Sequence, residues 1–148
     1  MPGARRKQSR SETQCHYREG VIHQWEVTAY IDPAPVHRQI YLEMSGELTE
    51  PFAGVSRFSI STHVDRADGS NGSMGAVGYF IEMKHELTGV VSLTRDEFQL
   101  LQMLASGGNL KSCSFSFQQT ARSKAVIVSF SFSSKLPDDA EDAGVPAR

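Results

Sequence analysis

The stretch from Leu87 to Asn109, LTGVVSLTRDEFQLLQMLASGGN, constrains this chain more than any other. It reads as a strand, a stop and one well-marked helix. Thr94 and Glu97 stand three residues apart and form a capping box. The threonine hydroxyl accepts from the Glu97 amide while the Glu97 carboxylate reaches back to the Thr94 amide, so two otherwise unpaired donors are satisfied. Leu93 before the cap and Phe98 in the first turn make a hydrophobic staple that sets the angle of entry. Gly107 and Gly108 end the helix, since glycine enters the left-handed conformation without a steric penalty. The spacing therefore predicts a helix from Arg95 to Ser106.

The polar residues of that helix, Arg95, Gln99, Gln102 and Ser106, make one narrow stripe. Phe98, Leu100, Leu101, Met103, Leu104 and Ala105 occupy the rest, an apolar arc wider than the roughly 100° face of a typical surface helix. Such a helix requires shelter. Either it is the central core element of an α+β domain, lying on or cradled by a sheet, or it docks in a partner's groove. The first reading is the simpler one.

The rest of the chain supplies strands. Val21 to Ile31 alternates, with Val21, His23, Trp25, Val27, Ala29 and Ile31 on one face, and stops at Asp32-Pro33-Ala34-Pro35. Arg38 to Leu48 repeats the pattern with Ile40, Leu42 and Met44 facing in, so the two predict a hairpin-like pair. Thr49 to Gly54 reads as a loop. Arg57 to Val64 alternates again through Phe58, Ile60, Thr62 and Val64. Asp65 to Gly75, DRADGSNGSMG, is the most turn-rich segment, and Ala76 to Glu86 resumes a strand through Val77, Tyr79, Ile81 and Met83.

After the helix come Leu110 to Gln118 and Lys124 to Ser133, joined by QQTARSK. Cys113, Phe115 and Phe117, then Val126, Val128, Phe130 and Phe132, make the apolar faces that should pack under the helix. The alternate positions are Ser112, Ser114, Ser116, Ser129, Ser131 and Ser133, with Ile127 the one exception. The predicted fold is α+β: a single, mostly antiparallel sheet of about six to seven strands with one helix packed on it. Residues 1–19 read as a disordered basic arm, 20–135 as the globular domain and 136–148 as a disordered acidic tail.

Functional motifs are weak. A net charge of −2 with 22% charged residues gives no global bias towards nucleic acid or acidic membranes. No apolar run approaches the ~20 residues that cross a bilayer, and the basic N-terminus lacks the apolar segment of a secretory signal. A cytoplasmic protein with free thiols at Cys15 and Cys113 is expected, Cys113 in the core and Cys15 exposed. Cys15 beside His16 offers no fixed nucleophile–base geometry in an arm of this kind. Glu82, His85 and Glu86 read as a solvated edge.

The glycines of residues 69–75 lead into a strand, where a phosphate cradle needs a helix N-terminus. His63, Asp65 and Asp68 are the best metal set on offer, and they lack the ligand spacing of calcium or structural zinc sites. No cofactor is implied.

The serine-rich face is the one unusual surface. Exposed sheet faces normally carry charged side chains that discourage association, and six small hydroxyls make a flat, uncharged platform on which another backbone can sit closely. The reading this supports is a non-enzymatic adaptor, inhibitor or immunity-type protein that binds a protein partner, or itself as a homodimer, through Ser112, Ser114, Ser116, Ser129, Ser131 and Ser133. The plainer reading is a solvent face. A nucleic-acid accessory protein using Arg5, Arg6, Lys7 and Arg10 of the arm with Arg122 and Lys124 of the 118–124 loop is the alternative from another class. A metal-dependent enzyme at residues 63–75 is a third.

Overall fold

A computed structural model describes residues 14–34, 38–64 and 75–137. Among the described residues there are seven strands and one helix: β1 (Cys15–Tyr30), β2 (Gln39–Phe52), β3 (Val55–Val64), β4 (Gly78–Glu82), β5 (Leu87–Leu93), α1 (Arg95–Ser106), β6 (Ser112–Ala121) and β7 (Lys124–Ser133). The predicted α+β class holds, with a mostly antiparallel sheet and a single helix. What the pattern did not announce is closure. The strands follow the order β1-β2-β3-β5-β4-β7-β6 and return to β1, forming a barrel. Every neighbouring pair is antiparallel except β3 and β5, which run parallel from Phe58↔Leu87 to Val64↔Leu93.

The barrel interior is filled by side chains. Phe58, Phe80, Phe115 and Phe117 are essentially inaccessible, with Leu42, Met44, Ile60, Leu87, Val91 and Ile127 around them. Phe80 stands edge-on to Phe115 and Phe117 at centroid distances of 5.4 and 5.3 Å, and Phe58 to Phe115 at 6.2 Å, the arrangement aromatic quadrupoles favour. Thr62 is the one fully buried polar residue among these, and its hydroxyl donates to the Leu42 carbonyl at 2.8 Å.

α1 crosses one mouth of the barrel, from the end of β5 to the start of β6. Its capping box forms as the sequence predicts, Glu97 N–H to Thr94 Oγ1 at 3.2 Å and Thr94 N–H to Glu97 Oε1 at 2.9 Å. Only part of its apolar arc is covered. Phe98, Leu101 and Ala105 are buried and Leu104 packs partly, whereas Leu100 is 51% and Met103 68% exposed. A helix laid across a barrel mouth presents one stripe to the core, so full shelter does not occur. The opposite mouth is closed by His16, Phe52 and Phe117, mutually in ring contact, with the Arg18 guanidinium over Phe52 and hydrogen-bonded to the Pro51 carbonyl. Phe117 therefore packs away from the helix, not under it.

Three faces are set by irregularities invisible to strict alternation. In β1 the register shifts between Ile22 and Gln24, which puts Gly20 and Ile22 inward below the bulge and Trp25, Val27 and Ala29 on the inner side above it. β2 can approach there because Gly46 lacks a side chain, and a Cβ at that position would lie 1.8 Å from the Val21 carbonyl oxygen. In β7 the shift between Ser116/Ser129 and Phe117/Ile127 turns Ala125 and Ile127 inward before it and Phe130 and Phe132 inward after it. Val126 and Val128 are thereby moved off the predicted inner face, and the exceptional Ile127 is explained. In β4 it is Phe80 that is buried, while Tyr79 and Ile81 are about half exposed.

Two boundaries also move. β1 begins at Cys15, so residues 15–19, assigned to an arm by composition, are strand paired with Gln118 to Ser114 of β6. Residues 1–13 of that arm and the tail from 138 lie outside the described residues. The TEPFAG loop is a two-residue turn, with Ala53 at φ 51° and Gly54 at φ 83° between Phe52 and Val55. Two consecutive positive φ values match the hairpin turn that favours Asn-Gly, and alanine is strained in the first of them. Ala53→Asn should raise stability by roughly 0.5–1 kcal/mol in chemical denaturation. An unchanged or lower midpoint would count against this turn geometry.

Candidate functional site

The predicted serine face is formed by β6 and β7. Their register sets Ser112 opposite Ser133, Ser114 opposite Ser131 and Ser116 opposite Ser129, a ladder of three like pairs on the outer wall. Ser114 and Ser131 share a hydrogen bond of 2.6 Å between hydroxyls, Ser112 donates to the Lys135 carbonyl at 2.6 Å, and Ser133 accepts from the Lys135 amide at 3.0 Å. Ser112 is buried; the others are half-buried or exposed. Because the sheet closes, the wall is convex where a flat face was expected. β1 extends it: Tyr17 pairs with Ser116 and Glu19 with Ser114, so the phenol, 53% exposed, lies in the row of Ser116 and Ser129. On the other side Tyr79 pairs with Val126 of β7.

The nucleic-acid residues are not brought together among the described residues. Arg122 and Lys124 are exposed at the β6–β7 turn, and Arg5, Arg6, Lys7 and Arg10 lie outside the described residues. The 118–124 loop is shorter than the sequence suggests, since β6 runs to Ala121 and a Gln119 side chain donates to the Arg122 carbonyl at 2.9 Å.

Of the metal set, His63 is described and its Nε2 lies 3.3 Å from the Ser92 hydroxyl, while Asp65 and Asp68 lie outside the described residues. Within those residues no group of three or more His, Cys, Asp or Glu side chains converges. Cys15 and His16 are separated by strand alternation: the thiol is exposed, and the imidazole packs against Phe52 and Phe117 at the barrel mouth. Glu82 accepts from the Lys84 and His85 amides and Glu86 from the Thr88 hydroxyl, so both carboxylates organise a turn.

A groove was missed by sequence reasoning. β1 pairs with β6 only through Val21 and with β2 on to Tyr30, while β2 stays paired with β3 as far as Tyr41, so the upper half of β1, with the first residues of β2 beside it, overhangs the barrel as a flap next to α1. Between flap and helix lie two adjoining hollows that share Gln99 and Gln102. One of about 960 Å³ is bounded by Ile31, Ile40, Val64 and Phe98, with Arg38, Arg95, Gln39, His63 and Thr94 among its polar edges. The other, about 500 Å³, lies against Trp25, Val27, Leu42, Met103 and Ser106. The helix stripe Arg95, Gln99, Gln102 and Ser106 was visible in the sequence. That it borders an open groove depends on the flap.

No helix among the described residues is long and apolar enough to cross a membrane. Comparison with protein-family models, curated proteins and solved structures finds no match to this chain. The two thiols differ sharply in environment. Burial raises the Cys113 pKa well above its ordinary value, whereas Cys15 is exposed at the start of β1. A disulfide-exchange reagent at neutral pH should titrate Cys15 promptly and Cys113 only on unfolding. Two fast equivalents in the native protein would contradict the placement of β6.

Proposed function

We propose that this protein is a non-enzymatic binding protein of the adaptor, inhibitor or immunity type, which holds a protein partner on the outer wall formed by β1, β6 and β7. The observation that carries the reading is the serine ladder with its tyrosine border. Ser112, Ser114, Ser131 and Ser133 have hydroxyls engaged within the chain, so covering them strips little water from unsatisfied groups. Tyr17 and Tyr79, each about half exposed, flank that platform and supply the large amphipathic contact that interfaces concentrate. Charges that would repel a second surface are few there, Glu19 being tied to the Tyr17 hydroxyl at 3.2 Å.

A homodimer is the second form of this reading, and a separate feature favours it. Among the described residues no strand pairs with the far edge of β1 from Gln24 to Tyr30, which has Glu26 as its sole charge. Long, weakly charged edges of this kind invite strand addition. The free thiols fit a reducing cytoplasm as its compartment.

Photo-crosslinking in the producing cells tests the reading. A photoreactive residue installed at Ser116 or Ser131 should give a discrete protein adduct, while one at Arg57 on the opposite wall should not. An adduct of twice the chain's mass identifies the homodimer. Adducts to nucleic acid alone, equal labelling from Arg57, or none from either serine would overturn the proposal.

A further inference from the structure

The barrel cannot take a ligand inside, because four phenylalanines fill it. Among the described residues, the groove between the flap and α1 offers space for one. Each of its two hollows, about 960 and 500 Å³, falls in the size range of small-molecule sites. Their linings differ in charge. Arg38 and Arg95 stand at the end formed by the larger hollow, and no carboxylate is among the described residues that line either one. Ile40 and Phe98 share that larger hollow with the arginines, and Val27, Leu42, Trp25 and Met103 line the smaller one, which has no charged residue.

Several of these apolar groups are exposed where a soluble domain would normally cover them. Trp25 is 39%, Val27 44%, Ile40 44% and Met103 68% accessible, and the first three lie on the inner side of the flap in register with Met44, Leu42 and Ala29 respectively. Leu42 and Met44, on the same side of β2, are fully buried, so the exposed groups continue the core's own surface into the groove. Arg38 is positioned by its Nε donating to the Asp32 carbonyl oxygen at 2.9 Å. The Asp32 carboxylate accepts from the Ala34 amide at 3.1 Å and the Tyr30 hydroxyl at 3.4 Å.

We propose that the groove binds an amphiphilic carboxylate, its head between Arg38 and Arg95 and its hydrocarbon chain laid along Ile40, Phe98, Val27 and Trp25. Guanidinium groups suit a carboxylate because their planar forks donate paired hydrogen bonds. The chain removes from water the apolar groups that the flap leaves open. Gln99 and Gln102, common to both hollows, offer amides along the path without adding charge.

The chain contains a single tryptophan, Trp25, and it lies in the groove, so its emission reports occupancy directly. Full-length protein is titrated with dodecanoate below micelle formation, with dodecanol and acetate as matched controls and circular dichroism on the same samples. Dodecanoate should shift Trp25 emission saturably with the β-sheet signal intact, and dodecanol should bind roughly tenfold more weakly for want of the head-group contacts. Arg38→Gln/Arg95→Gln should bring dodecanoate down to the dodecanol level with the melting temperature unchanged, since both arginines are exposed. Amide shifts in a two-dimensional spectrum should be confined to α1, β1 and β2. Equal binding of dodecanoate and dodecanol, an unaffected double variant, or an emission change that tracks loss of sheet would overturn the assignment. Shifts centred on β6 and β7 would do so as well.

Discussion

A seven-stranded barrel closes only if something of the right bulk fills its axis, and in this protein that is the set Phe58, Phe80, Phe115 and Phe117. The four come from three strands, one each from β3 and β4 and two from β6. Their edge-to-face contacts couple strands that are remote in sequence. β4, only five residues long, has Phe80 as its anchor, and the parallel contact of β3 with β5 brings Phe58 beside Leu87. Closure between β1 and β6 then follows, since Gly20 leaves room for Phe58, whose ring would lie 2.3 Å from any Cβ there. The helix adds to this core without creating it. Burying Phe98 and Leu101 contributes on the order of 1.5–3 kcal/mol each, while Leu100 and Met103 are left outside.

How legible this was depended on how local each cause is. α1 was readable to the residue, because caps, staple and terminal glycines act within a few positions of one another. The hairpin of β6 and β7 was readable for the same reason, since Cys113, Phe115 and Phe117 alternate without interruption. Closure was not, because strand patterns specify which face is apolar and say little about which strand lies alongside. The bulges at His23 and Val128 were hidden too. Each adds one residue and reverses the parity of all that follows, so Val21 and Val126 were placed on the wrong side. β4 carries apolar residues on both faces, and only the Phe80 contacts decide between them.

The same bulge in β1 that defeated the pattern also makes the groove. Beyond it β1 has no pairing with β6 and overhangs as a flap beside β2, and the polar stripe of the helix lines the hollows next to it. The serine positions, by contrast, could be named in advance. Their pairing across two strands, and the involvement of the Lys135 backbone, needed the register. A filled barrel thus leaves its outside for any contact, and the described residues present there a convex wall of small hydroxyls and a groove at the helical end.

Whether the sheet truly returns on itself is what everything else rests on, and cross-strand proton contacts measure it most directly. In a nuclear Overhauser spectrum of labelled protein, the backbone of Tyr17 should show contacts to Ser116 and that of Glu19 to Ser114, together with parallel-type contacts between Ile60 and Gly89. Their presence makes β1 and β3 ordinary staves of one closed wall. If the first set were missing and the amides of residues 15–21 exchanged freely with solvent, the sheet would be open at β6 and the barrel account wrong.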